Sequence, residues 1–119
     1  MAKIYVAGKN LERARSVMDM LIENGHLIIF DWVKDIKNEE DPFQKARDER
    51  EAVKQADILV YLWESDQESA RYEAGMAMGL HKPIIVSGFK NKLFFLSLPE
   101  VINVLDDSEI ISVLEKINL

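Results

Sequence analysis

Two glutamates stand where helix periodicity would place core residues or leave no room for a charge. Glu73 lies in Ser69-Ala70-Arg71-Tyr72-Glu73-Ala74-Gly75-Met76-Ala77-Met78-Gly79, where Ala70, Ala74 and Ala77 trace a small-residue stripe at three- and four-residue spacing. Such a stripe presses closely on a sheet, and a carboxylate at its edge is costly unless it is used. Glu49 falls three residues after Ala46 and four before Val53, inside the inward stripe Phe43, Ala46, Val53, Ala56, with Asp48 beside it. Alone, Glu49 reads as a solvated member of a charged helix. Two such carboxylates on helices flanking one strand read differently. In a shared pocket they push their pKa values apart, giving one protonated and one ionised group.

Further candidates cluster at predicted strand ends. The turn Ala7-Gly8-Lys9-Asn10 can set backbone N–H groups and Lys9 against an anion, although no G-x-G-x-x-G or Walker pattern is present. Asp31 and Trp32 end one strand and Trp63 and Glu64 end another, forming a rim suited to a flat, hydroxylated ligand such as a nucleoside. Ser69 is a natural N-cap, and Tyr5 within its strand is a core aromatic with a polar handle or a ligand contact.

These residues need a scaffold, and the apolar pattern supplies one. Strands are predicted at Lys3 to Ala7, Leu27 to Phe30, Ile58 to Leu62, Ile84 to Val86 and Val101 to Leu105. The run at 27–30 suits a strand buried on both faces. Helices alternate with them: Leu11 to Ile22 stopped by Asn24-Gly25, one from Pro42 to about Gln55, one opened by Ser69, and a closing helix marked by Ile110, Ile111, Leu114 and Ile117. The result is a doubly wound parallel five-stranded α/β sheet of order 2-1-3-4-5, a single domain over residues 1–119, binding its ligand at the carboxyl ends of the strands. Residues 31–41 and 88–99 are predicted irregular. Phe89, Leu93, Phe94, Phe95 and Leu96 form an apolar cluster that predicts a homodimer or larger homo-oligomer.

Composition limits the partners. The 119 residues are 48% hydrophobic and 30% charged, with a net charge of −6, which argues against a nucleic-acid polymer or an anionic membrane. No apolar run approaches the roughly 20 residues of a membrane helix, and the chain enters a strand at once, predicting no signal peptide. Zero cysteines rule out disulfides and a thiol nucleophile and fit a cytoplasmic protein. His26 and His81 lack metal-ligand spacing, so neither a metal nor a cofactor is expected.

Several strings, in order, resemble the nucleoside 2-deoxyribosyltransferase family and its TIR-like relatives. They are Lys3-Ile4-Tyr5-Val6-Ala7-Gly8, Gly25-His26 with Phe30-Asp31-Trp32, Glu49 followed by Ala56-Asp57, Ser69-Ala70-x-x-Glu73-x-Gly75-x-Ala77, and Gly79-x-x-Lys82-Pro83. The resemblance implies a flavodoxin-like fold and cleavage of the N-glycosidic bond of a nucleoside or nucleotide, by hydrolysis or deoxyribosyl transfer. It matches Glu73 to the glutamate nucleophile and Tyr5 and Gly8 to substrate contacts. Under it, Glu49 or Asp48 protonates the leaving base, Lys9 holds a 5′-phosphate if one is present, and Asp31 or Glu64 holds sugar hydroxyls. The chain departs from the family pattern at Glu49, commonly Asp, and at Gln67, where the transferases carry Asp. The alternatives are a non-catalytic module binding a nucleotide or NAD derivative, and a TIR-like NAD-cleaving enzyme.

Overall fold

A computed structural model describes residues 1–34, 41–90 and 94–117. Strands β1 (Lys3–Ala7), β2 (Leu27–Ile28), β3 (Ile58–Leu62), β4 (Ile84–Ser87) and β5 (Val101–Val104) form one sheet in the order β2-β1-β3-β4-β5, every pair parallel. Four α-helices flank it: α1 (Leu11–Glu23), α2 (Pro42–Gln55), α3 (Ser69–Gly79) and α4 (Ile110–Lys116). This is the flavodoxin-like α/β arrangement. Short 3₁₀ turns at Phe94–Ser97 and Asp107–Glu109 complete the β4–β5 and β5–α4 connections.

Strand alternation builds two cores. Ile4, Val6, Ile58, Val60, Leu62 and Ile85 pack with Ala14, Val17, Met18 and Leu21 of α1 and Ile110 and Leu114 of α4. On the other face, Tyr5, Ala7, Leu59, Tyr61, Ile84 and Val86 meet Ala52, Val53 and Ala56 of α2 and Ala70, Ala74 and Ala77 of α3. The three alanines let α3 lie close to the sheet, as their spacing predicts. Each fully buried large aliphatic side chain contributes roughly 1.5–3 kcal/mol.

Helix ends carry the expected chemistry in most places. Asn10 caps α1 by accepting from Arg13 N, Asp41 caps α2 by accepting from Phe43 N, and Pro42 takes the first helical position. Gly25, with φ of 86°, makes the left-handed turn that ends α1. Asp57 accepts from Lys3 N at the entrance of β3, and Lys82 Nζ reaches Ala56 O at 2.7 Å, closing the C-terminus of α2.

Four local expectations need correction. β2 covers two residues at the sheet edge, and Leu27 is exposed rather than buried on both faces, because among the described residues no strand pairs with its outer side. The cap of α3 is Glu68, not Ser69, and no side chain bonds the helix start. The inward stripe of α2 is limited to Ala52, Val53 and Ala56: Phe43 is 69% exposed and Ala46 is exposed, since the first turns of the helix project beyond the sheet. The apolar cluster near residue 90 is split. Phe89 stacks on Trp63 at 4.8 Å and Leu96 is buried, whereas Phe94 and Phe95 are exposed with ring centroids 4.5 Å apart; Leu93 lies outside the described residues.

Candidate active site

At the carboxyl ends of β1 and β3, between the β1–α1 turn and the first turns of α2 and α3, lies a cleft of about 640 Å³. Parallel strands leave such a crevice where neighbouring connections run to opposite faces, here between β1 and β3. The cleft is lined by Gly8, Lys9, Trp32, Pro42, Lys45, Ala46, Glu49, Asp66, Gln67, Glu68, Ser69, Ala70 and Glu73.

Glu73 forms its floor. The small stripe of α3 draws this helix onto the sheet and carries the carboxyl with it, leaving it 7% exposed. Glu49, on the facing turn of α2, is within hydrogen-bonding reach of Glu73. The two anomalous glutamates therefore meet in one cleft.

Electrostatics tie them into one acid. Burial and the charge of Glu49 push Glu73 up to about 8, against weaker opposing pulls from Tyr5 and Lys45. Burial raises Glu49 as well, opposed by Lys45 and by the hydrogen bond from Glu73. Both carboxyls are thus drawn toward the protonated form, Glu73 the more strongly. Beneath them the Tyr5 hydroxyl is buried with no well-formed hydrogen bond among the described residues, and Glu73 is the carboxyl that influences it most. Burial first, then the charges of Glu73 and Glu49, hold Tyr5 far above the ordinary phenol range. It stays a neutral O–H, available to donate to Glu73 when that carboxyl ionises.

Gly8, Lys9, Trp32, Glu49, Ser69 and Glu73 all line the cleft. Lys9 is already engaged, its Nζ 2.8 Å from Asp66 Oδ2. Trp32 donates Nε1–H to Val6 O at 2.7 Å, which fixes its ring as a wall. Tyr5 does not line the cleft; it is buried in the core beneath it and interacts with Glu73. Asp48 points elsewhere, accepting from Gln44 Nε2, so of the two neighbouring acids Glu49 alone joins Glu73. Asp31 lies off the cleft, bound by Arg15 Nη1 at 2.7 Å and by Lys34 N. Glu64 also stays out of the lining, accepting from Asn10 N at 3.2 Å and tying the β1–α1 turn to the β3–α3 turn.

Two contributors were not among the sequence candidates. Lys45 sits one turn before Glu49 on α2 and lowers the proton affinity of both glutamates. The i,i+4 spacing to Glu49 was a legible signal. Gln67 is 7% exposed, donates to Leu62 O at 2.7 Å, accepts from Glu64 N at 3.0 Å, and holds the β3–α3 turn that delivers Ser69 and Ala70. Its type departs from the family pattern, and no periodicity marks it. Among the described residues no cluster of His, Asp or Glu could hold a metal ion, and no helix is long and apolar enough to cross a membrane.

No family model matches the sequence, and no curated protein matches it in sequence. Solved structures do match in three dimensions. The CMP N-glycosidase BcmB of Clostridium botulinum superposes with a TM-score of 0.67 over 95% of this chain and 98% of that one, at 17% identity. A 2-deoxyribosyltransferase from Bacillus psychrosaccharolyticus superposes with a TM-score of 0.66 over 92% and 90%, at 20% identity. Both matches extend over nearly the full length of each partner. The chain shares the fold of these two proteins.

Proposed function

We propose that this protein cleaves the N-glycosidic bond of a nucleoside or nucleotide, by hydrolysis or by deoxyribosyl transfer, with Glu73 as the nucleophile. The observation that carries the reading is the Glu49–Glu73 pair lining one nucleoside-sized cleft, a pair we take to share one proton near neutral pH. Its support is the fold shared with proteins named as a CMP N-glycosidase and a 2-deoxyribosyltransferase.

The chemistry balances on the pair alone. The shared proton passes from Glu73 to Glu49, and Glu49 delivers it to the departing base nitrogen as the C–N bond breaks. The Glu73 carboxylate, steadied by the Tyr5 hydroxyl, closes on the anomeric carbon to form a glycosyl ester. Water, or a second base, then attacks that carbon and surrenders its proton to Glu49. The ester bond breaks and the pair again holds one proton. Retaining enzymes hold their two carboxyls roughly 5–5.5 Å apart and inverting ones roughly 6.5–9.5 Å, so two carboxyls close enough to interact fit the covalent route better.

The test is a base-release screen over purine and pyrimidine nucleosides and their 5′-monophosphates, on the wild type and on Glu73→Gln. Release by the wild type, its loss in Glu73→Gln, and a glycosyl-enzyme mass adduct in the former alone would support the reading. Release that survives the substitution removes Glu73 as nucleophile; no release from any substrate transfers the cleft to a non-catalytic binding module. The exposed Phe94–Phe95 pair further supports a homodimer or larger assembly. A monomer in sedimentation at micromolar concentration would remove that part.

A further inference from the structure

The mouth of the cleft carries a charge pattern that its floor does not explain. Lys9 and Asp66 line the cleft from opposite connections, β1–α1 and β3–α3, and their side chains are 57% and 96% exposed, whereas Glu73 at the floor is buried. Anything seated on the carboxylate pair and extending toward solvent meets this ion pair.

The described lining holds two cations, Lys9 and Lys45, against four carboxyl groups, Glu49, Asp66, Glu68 and Glu73. Lys9 is already paired with Asp66 at 2.8 Å, and Lys45 lies close enough to the glutamates to lower their proton affinity. The start of α3 adds negative charge to the same wall, with Glu68 at its cap position and Asp66 two residues before that. An exposed bridge such as Lys9–Asp66 holds itself together weakly. That weakness is immaterial here, since the Asp66 charge stays at the mouth whether the bridge is open or closed. A phosphate dianion drawn by Lys9 is repelled by Asp66 at nearly the same distance.

Resting on the reading of the cleft as a nucleoside site, we infer that it selects a ligand with an unphosphorylated sugar. Asp66 is then the specificity residue that excludes a 5′-phosphate. A free sugar hydroxyl suits the same position, with Lys9 to donate to it and Asp66 to accept from it.

Binding of matched pairs decides the matter: each nucleoside against its own 5′-monophosphate, by calorimetry on the Glu73→Gln protein so that no substrate is consumed. The nucleoside should bind about tenfold tighter than its monophosphate at low salt, and the gap should shrink as salt is added. Asp66→Asn should close most of the gap by strengthening monophosphate binding, with a smaller loss of nucleoside affinity as a charged acceptor for the sugar hydroxyl becomes an amide oxygen. Asp66→Glu should preserve it. The inference is overturned by a monophosphate that binds as tightly as its nucleoside, by a gap that Asp66→Asn leaves intact, or by failure of every pair to bind. Base release, measured separately on the wild type, distinguishes the two readings. Its absence alongside the expected binding pattern strikes the cleavage reaction and leaves the selectivity standing.

Discussion

Two clusters of charged side chains occupy the same rim of this sheet, one on each face, and they are built on opposite principles. On the α1–α4 face, Arg13 donates from Nε and Nη2 to Asp107, both at 2.8 Å, and from Nη1 and Nη2 to the carbonyls of Trp63 and Ser87. Ser87 Oγ–H donates to the same carboxylate. Gly88, with φ of 96°, brings the chain within 3.1 Å of Arg13 Nη2 at the point where a Cβ would stand. This two-pronged arginine–carboxylate contact ties the ends of β3 and β4 to the segment leading into α4. On the α2–α3 face two carboxyl groups are pressed together, the nearest cation is the exposed Lys45, and a buried phenol lacks a good partner. One cluster satisfies its charges and serves the fold. The other leaves them in conflict, which is how a fold keeps a group ready for chemistry.

The contrast is broken most sharply by paired substitutions. Glu73→Gln should lower base release by at least about 10⁴-fold while leaving the melting temperature unchanged or raised. Arg13→Met should do the reverse, removing about 2–3 kcal/mol of stability by stranding Asp107 and two carbonyls, with kcat altered far less. Denaturant titrations beside single-substrate kinetics check both, and a pair of equal effects would erase the distinction between the faces.

The clusters should also respond oppositely to pH. Glu73 titrates near 8 in the fold and near 4.5 when unfolded, so the folded state binds more protons between those values. Stability therefore falls as pH rises from about 5 to about 8, by on the order of 2–4 kcal/mol, and Glu73→Gln should flatten that slope. Burial pushes Asp107 up, but the bonds from Arg13 and Ser87 outweigh it and hold the group below its ordinary 3.8. Its contribution is present above that value and is lost as pH falls through the lower folded one. Unfolding free energies measured from pH 3 to 9 should show both limbs, and stability rising through pH 8 would contradict the shared proton.

Smaller changes sharpen the picture. Lys45→Met withdraws the cation that favours the ionised forms, so the alkaline limb of base release should move upward by a fraction of a pH unit, with a several-fold loss in kcat/KM. An unmoved limb would detach Lys45 from the pair. Asp48→Asn should change activity less than about twofold, because its carboxylate already accepts from Gln44 and lies off the cleft. A large loss there would return Asp48 to consideration as the acid.

The sheet, its strand order and the helix alternation were legible in the chain because they depend on local signals. Apolar runs, the alanine stripe of α3 and the Asn24-Gly25 stop each report backbone state within a few residues. Glu73 and Glu49 were visible for the same reason, as interruptions of a period. What periodicity could not reveal was direction and partnership. Asp31, Trp32, Glu64 and Asp48 have similar sequence credentials, yet Trp32 alone of the four lines the cleft, while Asp31 is taken by Arg15, Glu64 by Asn10 N and Asp48 by Gln44. Nothing in the spacing of Arg13 on α1 points to its partner Asp107, ninety-four residues away. The pairing of Lys9 with Asp66 spans fifty-seven residues, and it turned a candidate anion site into a neutralised one. A residue's type and spacing set what it can do. Contacts that long-range folding alone creates decide whether another group has already claimed it.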